Sequence, residues 1–137
     1  MRNERVRPKI LVAEDDEAVL DLLTTRLELA GYWVVGAQNG LRALQAIRET
    51  RPAGVLLDVN MPLMDGFEVL ATLKHGGDRE RVPVLMLTAR NAADDVLKAI
   101  SLGARDYVTK PFDDAQLLAR VARLIRNARP VQPVTVI

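Results

Sequence analysis

Six side chains that could take part in acid, metal or phosphate chemistry follow short apolar runs, each near the point where its run ends. In chain order they are Glu14, Asp15, Asp16, Asp58, Thr88 and Lys110. If these runs are parallel strands, their carboxyl ends share one edge of a sheet, where open α/β sheets keep their active crevice. Acids that meet in one pocket repel each other unless a cation is present, and a hard divalent ion with oxygen ligands resolves that conflict. The spacing therefore predicts an acidic crevice that binds a divalent metal ion.

The elements that must position these residues alternate between β-branched runs and amphipathic helical periods. Strands are predicted at Lys9–Ala13, Tyr32–Ala37, Gly54–Asp58, Val84–Thr88 and Asp106–Thr109. Helices are predicted from about Glu17 to Ala30, from Asn39-Gly40 to before Pro52, from Phe67 to before Gly76-Gly77, from about Ala92 to Leu102, and from about Asp113 to Arg126. Strands one, three and four are apolar throughout, as strands covered on both faces should be, whereas strands two and five have the character of edges. Leu22 and Leu41 are predicted to face inward, and Tyr32 and Trp33 to be packing residues.

This pattern predicts one doubly wound α/β domain with a parallel sheet of five strands and five helices. Residues 9–127 would form the domain. Residues 1–8 are predicted to be a flexible N-terminal tail, and residues 128–137 a C-terminal tail or linker, because two prolines break the helical period there.

Composition excludes several classes of site. The chain has 137 residues, 19 basic and 18 acidic, and a net charge of +1, which gives no broad footprint for nucleic acid or for a membrane surface. It contains no cysteine, which rules out disulfides and thiolate sites. No signal peptide or apolar run of about 18 residues is visible, so a cytoplasmic location is expected. His75 is the only histidine and lies far from the acids in sequence, which argues against a histidine kinase, a serine-type triad or a zinc site.

Several segments together resemble the receiver domain of two-component response regulators. They are Ile10–Asp16, Leu57–Pro62 with Asp65-Gly66, Leu87–Ala89, Gly103-Ala104, and Tyr107–Phe112. Each lies at the end of a predicted strand or beside one, and all occur in the family's order. The resemblance implies a flavodoxin-like fold with strand order 2-1-3-4-5.

The resemblance also implies a role for each site residue. Asp58 would be the phosphoacceptor, since a carboxylate oxygen can attack phosphorus and form an acyl phosphate. Mg²⁺ would be bound by Asp15 and Asp58, by the backbone carbonyl of Asn60, and by Glu14 through water. The phosphate would be bound by three further residues, Thr88, Ala89 and Lys110, with Lys110 aimed at the crevice by a cis bond to Pro111. Asp16 would serve only the helix N-terminus.

Switching and partners are implied in the same way. Thr88 and Tyr107 would form the conformational switch, and a sensor histidine kinase or phosphotransfer protein would supply the phosphoryl group. The last helix resembles those of receivers that form homodimers through helix 4, strand 5 and helix 5, where Asp106 and Arg120 match a charge pair. Three neighbouring positions depart from that pattern: Arg105, Gln116 and Asn127. No nucleic-acid or membrane contact is expected from this chain itself.

Two other functions stay open at this point. One is a Mg²⁺-dependent phosphatase acting through a phosphoaspartate. Such enzymes place the nucleophile in Asp-x-Asp after the first strand, whereas Glu14-Asp15-Asp16-Glu17 follows it here. The other is a receiver-like binding module that never accepts phosphate, which a missing acceptor or lysine would favour, although both are present. The sequence does not distinguish a stand-alone receiver from part of a larger regulator.

Overall fold

The computed structural model describes residues 7–77 and 81–128. Its strands are β1 (Lys9–Ala13), β2 (Trp33–Ala37), β3 (Gly54–Leu57), β4 (Val84–Thr88) and β5 (Asp106–Thr109). Its helices are α1 (Glu17–Leu29), α2 (Gly40–Thr50), α3 (Gly66–His75), α4 (Ala93–Ser101) and α5 (Asp114–Ala128). All ten predicted elements are present, and their ends either coincide with the prediction or differ from it by one or two residues, as is usual at fraying termini.

The five strands form one parallel sheet in the order β2-β1-β3-β4-β5. This confirms the flavodoxin-like, doubly wound fold with β2 and β5 as its edges. β1, β3 and β4 lie inside the sheet and are almost wholly buried. Their continuous apolar sequences follow from this burial, since neither face of a central parallel strand contacts water.

Alternate side chains of the strands supply two separate hydrophobic cores, one on each face of the sheet. Leu11, Val55 and Met86 point to the face covered by α2, α3 and α4. Ile10, Leu56 and Leu85 point to the opposite face, against α1 and α5. The sheet is thus clamped between two helical layers, and its strand ends are held in a fixed register.

Helix caps place the loops that lead out of the strands. Asp16 is the N-cap of α1 and accepts hydrogen bonds from the backbone N–H groups of Ala18 and Val19, which confirms the structural role predicted for it. Asp65 caps α3 in a reciprocal capping box with Glu68. The loops after β1 and β3 therefore end at fixed helix starts.

Three apolar residues are more exposed than the sequence pattern predicted. Trp33 is 57% exposed, Leu41 is 50% exposed and Leu22 is 43% exposed. Trp33 lies on edge strand β2, and its ring faces the Arg7 guanidinium at 6.0 Å rather than the core. Tyr32, by contrast, packs partly buried against the core on the α1 and α5 face. When leucine occurs both on the buried face of a helix and beside that face, the helical period alone does not show which leucines are buried.

The predicted tails fall mostly on residues 1–6 and 129–137, which lie outside the described residues. Pro8, assigned to the N-terminal tail, already contacts the sheet, because its carbonyl accepts a hydrogen bond from the Trp33 N–H at 2.9 Å. Across the described residues, no helix combines the length and the apolar character needed to span a bilayer.

Candidate functional site

Three acids converge at the carboxyl ends of β1 and β3. The two strands are neighbours in the sheet, with Ala13 opposite Leu57, so the residues that follow them emerge side by side. Glu14 and Asp58 are only 3% and 7% exposed, whereas Asp15 faces solvent. One carboxylate oxygen from each of the three lies within 4.8 Å of the others, a spacing suited to a shared metal ion. The structure thus brings together three of the side chains predicted to surround the metal.

Lys110, which follows edge strand β5, reaches across to the same pocket. Its Nζ donates hydrogen bonds to Glu14 Oε1 at 2.6 Å and to Asp58 Oδ2 at 3.3 Å. The Lys110–Pro111 peptide bond is cis, as the resemblance implied. Lys110 therefore joins the ends of β1 and β5, which are separated in the sheet by β3 and β4.

Burial and neighbouring charges have opposing effects on the pKa values of Glu14 and Lys110. Burial raises the pKa of Glu14, the negative charge of Asp58 adds to the rise, and the hydrogen bond from Lys110 opposes it. Burial alone would lower the pKa of Lys110, but its hydrogen bond to Glu14 and the charge of Asp58 outweigh burial and raise it. Lys110 is thus held as a cation among three acids. A divalent ion would supply the positive charge that this pocket still lacks.

Thr88 and Asn60 line the same edge. Thr88 ends β4, has no exposed surface, and its Oγ1 accepts a hydrogen bond from the Arg90 N–H at 3.3 Å. Its carbonyl accepts from the Lys110 N–H at 2.9 Å, which aligns β4 with the lysine loop. The Asn60 N–H donates to Asp58 Oδ1 at 3.4 Å. Ala89 follows Thr88 in an exposed position at the start of the β4–α4 loop.

The family sequence model described as the response regulator receiver domain matches residues 10–122, most of the chain. This chain belongs to the response regulator receiver domain family. Transcriptional regulatory protein PrrA of Mycobacterium tuberculosis is 43% identical over 120 residues, which cover 88% of this chain and 51% of PrrA. The chain therefore spans about half the length of the curated relatives it matches.

Solved receiver structures share the fold of this chain. The signal receiver domain of a signal transduction histidine kinase from Syntrophus aciditrophicus has a TM-score of 0.82 and 33% identity, covering 94% of this chain and 98% of its own. The receiver domain of sensor histidine kinase PA1611 from Pseudomonas aeruginosa has a TM-score of 0.80 and 27% identity, covering 88% and 99%. That second structure holds a magnesium ion coordinated in its active site cleft. The comparisons confirm a signalling domain and give no support to the phosphatase alternative.

In this receiver, the second predicted switch residue reaches the loop that follows Thr88. Tyr107 lies on β5, partly buried, and its hydroxyl donates to the Arg90 carbonyl at 2.7 Å. Burial raises the pKa of the Tyr107 hydroxyl, and the negative charge of Asp95 adds to that rise. The receiver thus connects Thr88 and Tyr107 through one residue, Arg90.

Arg90 is the residue that the sequence analysis missed. Its guanidinium donates to Asp95 Oδ1 at 2.8 Å and to Asn60 Oδ1 at 3.3 Å, and it lies 5.6 Å from the centre of the Phe67 ring. The hydrogen bond and charge of Arg90 hold the pKa of Asp95 below its usual value. Arg90 lies in a loop with no periodic pattern, so only the tertiary structure shows its partners.

Asp106 and Arg120 lie together on the surface formed by α4, β5 and α5. Arg120 Nη1 donates to Asp106 Oδ1 at 2.6 Å, and Arg123 approaches the same carboxylate at 3.5 Å. The pair that the resemblance assigns to a dimer is therefore satisfied within one copy of the receiver. On α4, Leu97 and Ile100 are 64% and 55% exposed and give this surface an apolar part.

Proposed function

We propose that this receiver is a phosphorylation-dependent switch whose acceptor is Asp58. The observation that carries the proposal is the environment of the Asp58 carboxylate, which is nearly buried, lies 3.3 Å from an ammonium, and shares a metal-spaced cluster with two other acids. A purely structural ion pair with Lys110 does not account for Asp58, because Glu14 makes the shorter contact with the Lys110 ammonium. The Asp58 carboxylate is well placed to receive an electrophile from the open side of the crevice.

Phosphoryl transfer to Asp58 would be a displacement at phosphorus. An Asp58 carboxylate oxygen forms the new P–O bond while the bond from phosphorus to the donor breaks. The electron pair leaves with the donor group, which is the imidazole of a phosphohistidine or the carboxylate of a small acyl phosphate. Lys110 is placed to neutralise phosphoryl oxygens as a point charge, and Thr88 to donate a hydrogen bond to one of them. Ala89, next to Thr88, completes the proposed phosphate-binding group.

The donor set fits Mg²⁺. Asp15, Asp58 and the Asn60 carbonyl would be direct ligands, with Glu14 bound through water, and hard carboxylate and carbonyl oxygens are what this ion prefers. When bound, Mg²⁺ would neutralise negative charge on the transferring group. The magnesium ion in the related PA1611 receiver supports the same site in this chain.

The receiver would act on itself rather than turn over an external substrate. We infer that a sensor histidine kinase or phosphotransfer protein is the donor, and that phosphorylation changes the positions of Thr88 and Tyr107 and the surface formed by α4, β5 and α5. Relatives such as PrrA are named as transcriptional regulators and are about twice as long, so a gene-regulatory output partner or domain fits. Residues 9–127 would be the switching unit.

The test is intact-mass measurement after incubation with Mg²⁺ and acetyl phosphate. We expect one added phosphate that hydroxylamine removes, and none on the variant Asp58→Ala. Asp21→Ala, which removes an exposed acid of α1, is the matched control and should label normally. Normal labelling of Asp58→Ala would refute the assignment, and rapid hydrolysis of generic phosphomonoesters would favour a phosphatase instead.

A further inference from the structure

α4 buries little apolar surface, and charged groups make several of its contacts with the rest of the receiver. Of its nine residues only Ala99 is buried, and its N-cap, Ala92, makes no side-chain capping bond. Three cations compensate on the side facing α3, and one of them is Lys74 of α3, whose Nζ donates to the Ser101 carbonyl at the end of α4 at 2.9 Å. Arg90 binds Asp95 in the first turn of α4, and Lys98 lies 4.5 Å from the centre of the Phe67 ring. A helix held by so little apolar burial depends on these contacts to keep its position.

Phe67 itself is fixed to the acceptor loop. It follows Gly66, whose backbone is so close to Asp58 that an added Cβ would lie 2.3 Å from the Asp58 carbonyl oxygen. Phe67 is 6% exposed and part of the core. The ring that Arg90 and Lys98 share therefore has a constant position relative to Asp58.

The Arg90 side chain lies between the Asp95 carboxylate and Asn60, the residue two positions after Asp58. On one side is the Asp95 carboxylate at 2.8 Å, and on the other is Asn60, whose own N–H bonds the Asp58 carboxylate. The contact to Asn60 Oδ1 is the longer one, at 3.3 Å. A phosphoryl group on Asp58 would carry about 1.5 to 2 negative charges in place of the single charge of the carboxylate. A guanidinium presents a planar fork that binds phosphoryl oxygens in pairs, so the new group would compete for it with a single carboxylate.

We propose that Arg90 is a phosphate-binding residue. When Asp58 is phosphorylated, its guanidinium would leave the Asp95 carboxylate and bind the phosphoryl group, so that the two anions compete for it. This inference rests on the proposed function of Asp58. Exchange would release the first turn of α4. It would also carry Thr88 and Tyr107 along, because the Arg90 N–H bonds Thr88 Oγ1 and the Arg90 carbonyl accepts from Tyr107. The acceptor would thus be linked to α4 through one side chain.

The competition makes opposite predictions for the two partners. With Mg²⁺ and beryllofluoride as the phosphoryl mimic, Asp95→Asn should bind about threefold to tenfold tighter than the unmodified chain, since the competing anion is gone. Arg90→Met should bind about tenfold weaker, since the guanidinium is gone. Calorimetry measures both affinities. Without beryllofluoride, amide hydrogen exchange of residues 93–101 should be faster in both variants than in the unmodified chain. In the unmodified chain it should become faster only when beryllofluoride is added.

Lys98→Met is the control that separates competition from simple loosening. It removes the other cation from the Phe67 ring and loosens α4 while Arg90 and Asp95 remain paired. Its beryllofluoride affinity should therefore match that of the unmodified chain. Tighter binding by Lys98→Met, or a change in the same direction for Arg90→Met and Asp95→Asn, would show that the ion pair is only structural.

The outcomes also separate this inference from the proposed function. Beryllofluoride binding by the unmodified chain and none by Asp58→Ala would support the acceptor site whatever the Arg90 and Asp95 variants do. If the unmodified chain binds no beryllofluoride in the presence of Mg²⁺, both proposals fail. If it binds and the two variants shift together, only the exchange of partners by Arg90 fails.

Discussion

At the scale of single residues, the acidic pocket is organised by how much solvent each carboxylate keeps. Glu14 is buried and bonds Lys110 at 2.6 Å, whereas Asp15 next to it stays exposed. A metal ion entering from solvent would therefore meet Asp15 first. In the absence of metal, the same three negative charges repel each other, and Lys110 offsets only part of that repulsion.

The variant Asp15→Asn tests the role of the exposed acid. Removing one charged ligand should weaken Mg²⁺ binding about tenfold or more, and it should slightly raise the stability of the metal-free protein by relieving repulsion. Calorimetry and urea unfolding measure the two effects. Asp16→Asn is a matched control, because asparagine caps a helix as well as aspartate and Asp16 lies outside the cluster. Unchanged Mg²⁺ affinity in Asp15→Asn would exclude it as a ligand.

Glu14 gives a pH dependence whose sign follows from its raised pKa. A carboxyl that charges less readily in the folded state destabilises the fold once it is charged. That cost is absent below the ordinary glutamate pKa of 4.5, which applies in the unfolded chain, and is complete above the raised pKa of the folded state. With chelator present, Glu14→Gln should therefore be more stable than the unmodified chain at pH 7, and the difference should shrink toward pH 4. Urea unfolding at both pH values measures it, and an advantage that grows on acidification would contradict this account.

At the scale of elements, the helix starts are pressed against the loops that carry the site. Gly66 begins α3 against the backbone of Asp58, and Gly40 begins α2 against Met64, where an added Cβ would lie 2.0 Å from the Met64 carbonyl oxygen. Both contacts are with backbone, which cannot rotate away. The loop after β3 is thus fixed from two sides, and Asp58 is held at a constant position relative to β1.

The variant Gly66→Ala should therefore destabilise the receiver by roughly 1–3 kcal/mol, the usual range for overpacking. It should also impair beryllofluoride binding, because the backbone of Asp58 must shift to accept the methyl group. Gly36→Ala is the control. Its Cβ would meet only the flexible end of Leu20, at 3.2 Å, and the cost should be small. Urea unfolding measures the stability of both variants. Equal stabilities would mean that the backbone of the loop after β3 moves easily enough to accept the methyl group.

At the scale of the whole molecule, one surface combines charge with exposed apolar groups. Asp106 pairs with Arg120 inside one copy, and Leu97 and Ile100 on α4 face solvent. The Asp106–Arg120 pair is partly exposed, and a surface ion pair is worth only about 1 kcal/mol, so apolar contact must supply most of the energy of any dimer formed here. The intramolecular pair would also have to exchange partners, which makes assembly sensitive to the state of α4.

We predict that Mg²⁺ with beryllofluoride converts the receiver from monomer to dimer through this surface. Leu97→Ser should abolish the conversion, and Arg120→Ala should weaken it only slightly. Leu22→Ser changes an exposed leucine on α1, away from the surface, and is the control. Light scattering with and without beryllofluoride measures the mass. An activated receiver that stays monomeric at high concentration would instead favour a stand-alone switch that signals through a different partner protein.

The sequence alone determined the elements, their edges and the acidic pocket. A continuous apolar run identifies a central strand, and the residue after it must emerge at the crevice, which is why Glu14 and Asp58 could be placed together. Lys110 joined them because the residue after any parallel strand, here the short edge strand β5, emerges at the same edge of the sheet. The role of Asp16 followed equally from its position before a helix. Strand patterns and helix caps depend on residues that are close in sequence, so the sequence alone predicts them.

Only the tertiary structure decided which loop side chains meet. Arg90 binds Asp95, Asn60 and the Phe67 ring from a segment with no period, and Trp33 is exposed although its residue type favours burial. Such contacts depend on the distances between loops and on how far each helix layer extends over the sheet. Those distances arise from the packing of all ten elements, and no local pattern encodes them.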